Sequence, residues 1–244
     1  DSTSSNHVRE DYSIGINDKL DQKIKIGIPS DYLKDVSGDI LSQIENTKKA
    51  LIKHNVEFVD VEFKTTEYAL STYYILAPAE ASSNLARYDG IRYGVREDGK
   101  SLDDIYLNSR TKGFGDEVTR RILIGAYVLS AGYYDAYYRQ AQKVRRLIKD
   151  DFQRIFNDVD FILTPTTPNE AFKIGDKLDP ISMYKNDIYT VPTSLAGLPG
   201  ISIPSGLSTN GLPLGIQFIG NYFEEKKLLQ IAALAEKELN FNEQ

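Results

Sequence analysis

Two adjacent arginines, Arg120 and Arg121, are the residues best suited to holding a small anion. Arg121 directly precedes the apolar run ILI, so its guanidinium group is expected to be partly buried. A partly buried guanidinium group needs a carboxylate, and its planar fork suits one well. The partner is either an acidic residue of the protein, in a structural ion pair, or the carboxylate of a substrate.

Asp187 and Tyr73 are the other two candidates for a ligand site. Asp187 lies in the segment YKNDIYT, where an aspartate commonly caps a helix or forms a turn. Its carboxylate would also bind an ammonium group. Tyr73 stands beside Tyr74 on a predicted helix, and such pairs more often pack at the rim of a core. An arginine and an aspartate that converge on one pocket would match the carboxylate and amine of an amino acid.

A crowded polar segment, residues 78–94, reads PAEASSNLARYDGIRYG. Its apolar residues do not recur at the spacing of a helix that only covers a core. The mixture of acids, amides, hydroxyls and arginines predicts a hydrogen-bond network around a site or an interface. The alternative is a solvated helix end that runs into a turn.

The composition excludes several kinds of chemistry. The 244 residues include no Cys and only two His, which leaves almost no material for thiolate chemistry or a Ser-His-Asp triad. No G-x-S-x-G elbow, phosphate-binding loop or metal-ligand spacing is present. The net charge of −6 argues against a large basic surface for nucleic acid. No apolar run approaches the ~20 residues of a membrane span.

Hydrophobic periodicity predicts the elements that position these residues. A strand at 24–29, a helix at 39–55 and a strand at 56–63 form a βαβ unit with parallel strands. The remaining predictions are a helix at 67–85 containing Pro78, a long helical region at 113–158 interrupted at Gly132, strands at 161–168, 200–206 and 213–220, and a helix at 224–239. We therefore expect one α/β unit with a mixed β-sheet core flanked by helices.

The start of the sequence indicates a piece of a longer polypeptide. The only methionine is Met183, and the first residues, DSTSSNHVRE, lack the features of a signal peptide. We expect a protein of the bacterial cytoplasm or of an organelle, and not a secreted one.

Several segments together resemble the amidase signature family, and within it the A subunits of glutamyl-tRNA(Gln)/aspartyl-tRNA(Asn) amidotransferases. The similarity extends from the first residues to the last helix, and AEASSNLARYDG is the most specific match. The matching segments are DSTS at 1–4, residues 73–94, residues 113–138, LTPTTP at 163–168, the region of Asp187, AGLPGISIPSG at 196–206 and GLPLGIQFIG at 211–220.

The resemblance implies hydrolysis of the carboxamide of glutamine by a Ser–cis-Ser–Lys triad, through an acyl-enzyme. The three candidate residues match positions that hold glutamine: Tyr73, Arg121 on the α-carboxylate and Asp187 on the α-amine. Arg120 is the alternative for this role, because the match to the family does not distinguish between two adjacent arginines. The family's lysine and both serines would lie before Asp1, so no catalytic residue is assigned here and residues 1–244 alone are predicted to lack glutaminase activity.

The resemblance also implies partners. The B and C subunits of the amidotransferase would complete the enzyme, and ammonia would pass to a partner that amidates Glu-tRNA(Gln). ATP and Mg²⁺ are expected for the whole complex, and no cofactor is expected in this chain. Residues 1–244 would form the C-terminal part of a single amidase signature domain. Two alternatives are a stand-alone amidase acting on another carboxamide and a non-catalytic scaffold that binds partner subunits.

Overall fold

The computed structural model describes residues 4–8, 10–18, 22–34, 36–176 and 180–241. The chain divides into two compact units. Unit 1 comprises Asp1–Leu70 and Arg146–Gln244, and unit 2 comprises Ser71–Arg145. The segment DSTS at 1–4, which is predicted to be a family motif, lies largely outside the described residues. The prediction that the chain forms part of a single amidase signature domain stays a prediction.

Unit 1 is built on a five-stranded mixed sheet with the strand order β2-β1-β3-β5-β4. The strands are β1 (Ile24–Pro29), β2 (Val56–Val61), β3 (Phe161–Pro165), β4 (Gly200–Leu207) and β5 (Pro213–Gly220). Strand β1 is parallel to both β2 and β3, while β5 is antiparallel to both β3 and β4. Helix α1 (Gly38–Ile52) connects β1 to β2, so the predicted parallel βαβ unit and the mixed sheet are confirmed.

The two faces of this sheet differ in character because alternate side chains of a strand point to opposite sides. One face packs against α1 and against α8 (Glu225–Leu239) through buried aliphatic and aromatic side chains. The strand residues of this core are Ile24, Ile26, Ile28, Val56, Phe161, Leu163, Ile203, Ile216 and Phe218. Each such side chain contributes roughly 1.5–3 kcal/mol of transfer free energy on burial. The opposite face includes two buried polar residues, Thr164 and Gln217.

Helix α1 is shorter than predicted. It begins after Ser37, whose Oγ accepts a hydrogen bond from the Ile40 amide, and it ends at Ile52 instead of Asn55. Asn55 adopts a φ of 60°, in the left-handed region, where the chain turns into β2. In the last turn of the helix Leu51 is fully buried, whereas the neighbouring Ile52 is 58% exposed.

Unit 2 is helical. It contains most of α2 (Ala69–Leu85), then α3 (Leu102–Gly113), α4 (Asp116–Val128), a π-helical turn (Tyr134–Tyr138) and the first part of α5 (Arg139–Ile155). The sequence interpretation missed α3 and placed its last residue, Gly113, in one long helical region. Gly132, with a φ of 88°, separates α4 from the π-helical turn, so the predicted interruption is present.

Unit 1 also contains two short α-helices. Helix α6 (Pro180–Lys185) and α7 (Val191–Ala196) flank the segment that includes Asp187. In the part of the chain that the structure describes, no helix has the length and apolar character needed to cross a lipid bilayer.

Candidate amino-acid-binding residues

Arg121 lies on α4 in contact with an acid and two tyrosines. Its Nε donates to Oε1 of Glu117, one helical turn earlier, over 2.9 Å. Its guanidinium carbon is 6.0 Å from the centre of the Tyr74 ring, and the Tyr73 side chain lies close enough to interact with the guanidinium group. The hydrogen bond to Glu117 is the main cause that raises the pKa of Arg121, with Tyr73 adding to it. The structure therefore brings two of the predicted residues, Tyr73 and Arg121, together in unit 2.

Glu117 pairs with both arginines. Arg120 binds its Oε2 through Nη1, and Arg121 binds its Oε1 through Nε. The hydrogen bond from Arg121, followed by the charge of Arg120, holds the pKa of the Glu117 carboxyl below its usual value. The structural ion pair that the sequence left open is thus present. Arginine has five N–H donors, so the bond from Nε leaves the terminal nitrogens of Arg121 able to bind a second carboxylate.

The two arginines have different surroundings. The side chain of Arg121 is 34% exposed and lies against the tyrosine pair, whereas that of Arg120 is 53% exposed. The rings of Tyr73 and Tyr74 meet edge to face with centroids 5.1 Å apart. A guanidinium group packed on aromatic rings is less hydrated than an exposed one, and it binds a carboxylate at a lower desolvation cost.

A close crossing of α2 and α4 sets this arrangement. Gly125 packs so tightly against α2 that a Cβ atom at this position would lie 1.9 Å from the carbonyl oxygen of Pro78 and 2.8 Å from Cβ of Ser82. Arg121 precedes Gly125 by one helical turn, so the backbone approach at Gly125 brings α4 close enough to α2 for Arg121 to contact Tyr73.

The polar segment 78–94 begins in α2 and ends in a hydrogen-bonded loop. Asp89 accepts the amide of Ile91 through Oδ1 over 2.9 Å. Arg110 of α3 donates to the carbonyls of Leu85, at 3.3 Å, and of Tyr88. Sequence reasoning missed Arg110 because it missed α3. The sequence feature that could have revealed α3 is its capping box, in which the side chains of Ser101 and Asp104 each accept a hydrogen bond from the other's backbone amide.

Asp187 lies in unit 1, on the turn between α6 and α7. It is partly buried, and its backbone carbonyl accepts the amides of Thr190, at 3.2 Å, and Val191, at 3.0 Å. The turn predicted as one of its roles is therefore present. Asp187 belongs to a different unit from Tyr73 and Arg121.

No candidate metal site was found in the described ranges, and one described cavity of unit 1 lies away from the candidate residues. Within the described ranges, no group of three or more histidines, aspartates or glutamates is arranged to hold a metal ion. A cavity of ≈ 450 Å³ in unit 1 is lined by residues 16–18, His54 and four residues of α8, and Asp187 does not line it.

The chain is similar to known proteins over nearly all of its length. The family model described as Amidase matches residues 1–229, and the chain therefore belongs to the amidase family. The A subunit of glutamyl-tRNA(Gln) amidotransferase from Pelagibacter ubique is 53% identical over 99% of this chain and 50% of its own length. The protein of the same name from Halothermothrix orenii is 50% identical over 98% of this chain and 50% of its own length. The resemblance recognised in the sequence is confirmed.

Solved structures agree with this assignment. The crystal structure of the glutamyl-tRNA(Gln) amidotransferase A subunit from Thermotoga maritima matches with a TM-score of 0.69 and 40% identity, over 91% of this chain and 44% of that chain. A bacterial aryl acylamidase of the amidase signature family matches with a TM-score of 0.68 over 95% of this chain and 46% of its own, but its 19% identity shows the fold alone. The chain spans about half the length of the relatives that it matches.

Proposed function

We propose that this chain is the glutamine-binding part of the glutaminase subunit of a glutamyl-tRNA(Gln) amidotransferase. The observation that carries this proposal is the 50–53% identity to proteins of that name across nearly the whole chain. The contact of Arg121 with Tyr73 and Tyr74 supports it, because a partly buried arginine beside tyrosines suits the α-carboxylate of an amino acid.

The proposed reaction is hydrolysis of the glutamine carboxamide. A serine of the Ser–cis-Ser–Lys triad attacks the amide carbon, ammonia leaves, and water releases glutamate from the acyl-enzyme. The triad lies outside residues 1–244 in this proposal, and this chain contributes binding and orientation. Ammonia then passes to the B subunit, which works with the C subunit and uses ATP and Mg²⁺ to amidate Glu-tRNA(Gln).

The roles proposed for the three residues follow their chemistry. The terminal nitrogens of Arg121 bind the α-carboxylate of glutamine, while Nε stays on Glu117. Tyr73 holds the guanidinium group of Arg121 and contacts the substrate. Asp187 accepts hydrogen bonds from the α-ammonium group.

A single amidase signature domain accounts for an otherwise unusual surface. Tyr127, Tyr133, Tyr134 and Tyr137 of unit 2 are each 40–51% exposed, and Leu123 is 65% exposed. Exposed apolar clusters of this kind commonly mark surfaces that another part of a protein covers. In our proposal, the half of the domain that lies outside residues 1–244 covers this surface.

Substitution of the adjacent arginines in the full-length enzyme tests the proposal. Loss of a charge-assisted contact of roughly 1.5–3 kcal/mol predicts that Arg121→Ala raises KM for glutamine about 10- to 100-fold. Arg120→Ala is the matched control and is expected to change KM less than about fivefold, since exposed ion pairs contribute roughly 0–1 kcal/mol. Steady-state ammonia release measures both.

Two results would contradict the proposal. An unchanged KM in Arg121→Ala, or a larger effect of Arg120→Ala, would move the carboxylate contact away from Arg121. Glutamine turnover by residues 1–244 alone, abolished by substitution of a serine within them, would place the nucleophile inside this chain.

A further inference from the structure

Two buried polar residues lie on the face of the sheet opposite the apolar core. Thr164 of β3 is fully buried, and Gln217 of β5 is 6% exposed. They are direct partners across the β3–β5 pair, and Ser202 of β4 is the partner of Gln217 on its other side. Aliphatic residues are the usual choice for central strands of a covered sheet. A buried amide in this position therefore requires a structural or functional reason.

The hydrogen bonds of Gln217 indicate that reason. Its Nε2 donates to Thr164 Oγ1 over 3.0 Å and to the backbone carbonyl of Tyr189 over 3.0 Å. A backbone carbonyl only accepts hydrogen bonds, so the amide nitrogen must be the atom that faces it. Gln217 thus ties a strand of the central sheet to a residue in the turn that follows Asp187.

Tyr189 is held at a second point. Its hydroxyl donates to the backbone carbonyl of Tyr32 over 2.8 Å, and its side chain is 3% exposed. The rings of Tyr189 and Tyr32 meet edge to face with centroids 5.6 Å apart. Tyr189 is therefore an anchored residue, and the turn formed by the bonds from Thr190 and Val191 to the Asp187 carbonyl includes it.

From these contacts we infer that Gln217 is a positioning residue for substrate binding, which acts by holding the turn that carries Asp187. This inference rests on the proposed function, in which Asp187 binds the α-ammonium group of glutamine. Without the Gln217 amide, the Tyr189 carbonyl and the Thr164 hydroxyl are left buried without this donor, and the turn gains freedom to move. Binding of the ammonium group then weakens, while the chemical step at the carboxamide is unaffected.

The test compares Gln217→Leu with Ser202→Ala in the full-length amidotransferase. Ser202 lies beside Gln217 on the same face but bonds to Thr166, so its loss does not touch the turn. We expect Gln217→Leu to raise KM for glutamine about tenfold, because the Tyr189 carbonyl loses a buried hydrogen-bond donor, with kcat changed less than about twofold.

A double-mutant cycle separates positioning from general destabilisation. If Gln217 acts through Asp187, adding Gln217→Leu to Asp187→Asn raises KM no further, whereas independent effects would multiply. Multiplied effects, or a KM for Gln217→Leu equal to that of Ser202→Ala, would overturn the inference.

Amide hydrogen exchange distinguishes failure of this inference from failure of the proposed function. Absence of glutamine hydrolysis by the wild-type complex would overturn the proposed function. The exchange measurement then still decides whether Gln217 anchors the turn. Gln217→Leu is expected to speed exchange of the Thr190 and Val191 amides about tenfold relative to Ser202→Ala. Equal exchange in the two variants would overturn the inference.

Discussion

Gly125→Ala probes the backbone contact that brings Arg121 to Tyr73. The new Cβ atom would lie 1.9 Å from the Pro78 carbonyl oxygen and 2.5 Å from its carbonyl carbon, whereas real Cβ contacts essentially never fall below 3.0 Å. The two helices would have to separate by about 1.1 Å at this point, the difference between 1.9 and 3.0 Å. The atoms on the other side are backbone, so no side-chain rotation relieves the contact.

The expected cost follows from two opposing terms. Overpacking a tight contact typically costs roughly 1–3 kcal/mol. Replacement of glycine by alanine inside a helix raises the free energy of unfolding by about 1 kcal/mol, because alanine has the higher helix propensity. Because the contact is between backbone atoms, we place the overpacking cost at its upper end and expect a net loss of about 2 kcal/mol. For a chain of this size, that loss lowers the midpoint of thermal unfolding by roughly 4–8 °C.

Gly113→Ala is the matched control for this experiment. Gly113 ends α3, and a Cβ atom there would meet nothing within 4 Å. This variant is expected to unfold at or slightly above the wild-type temperature. Gly125→Ala should also raise KM for glutamine in the full-length enzyme, because Tyr73 and Arg121 lie on the two separated helices. Unfolding of Gly125→Ala at the same temperature as Gly113→Ala would refute the close α2–α4 crossing.

Two further predictions concern a buried acid and an exposed tyrosine pair. Asp151 is buried, and its carboxylate accepts hydrogen bonds from the backbone amides of residues 64 and 65 and from the hydroxyl of Thr65. Asp151→Asn should therefore lower the free energy of unfolding, measured by chemical denaturation, by about 2–4 kcal/mol. The control Asp150→Asn, at an exposed position, should lower it by less than about 0.5 kcal/mol. The hydrogen bond with Tyr133 raises the pKa of Tyr127 to about 12. The contribution of this hydrogen bond to stability should therefore be complete below the ordinary tyrosine pKa of about 10, and it should be lost as the pH rises through about 12. In Tyr133→Phe, ultraviolet titration should show that Tyr127 ionises closer to the ordinary pKa.

Elements with a strong local pattern were predictable. Strands β1 and β5 have the predicted bounds, and β2, β3 and β4 differ from them only at their ends. Helix α3 was missed because it lacks an apolar stripe. Leu102 and Leu107 are both about 65% exposed, and only the capping box marks the helix.

The candidate site was predictable only in part. The ion pairs of Glu117 with Arg120 and Arg121 follow from helical spacing, since residues three and four apart share a face. The sequence interpretation left open whether a protein acid or a substrate faced Arg121, and it did not identify Glu117. The roles of Tyr73, Arg121 and Asp187 toward glutamine stay predictions. Arg110 was not recognised because α3 was missed, and Gln217 was not recognised because its hydrogen bond to Tyr189 spans 28 residues of the chain.

The sequence by itself was sufficient to identify the family, to predict most of the strands and helices, and to exclude thiol chemistry. These properties depend on residue identity and on spacing along the chain. Only the tertiary structure decided that Arg121, and not Arg120, lies against the tyrosine pair, and that Gln217 holds the turn after Asp187. The first depends on the absence of a side chain at Gly125 opposite another helix, and the second on the register between strands. Both are relations between distant segments, which local patterns do not encode.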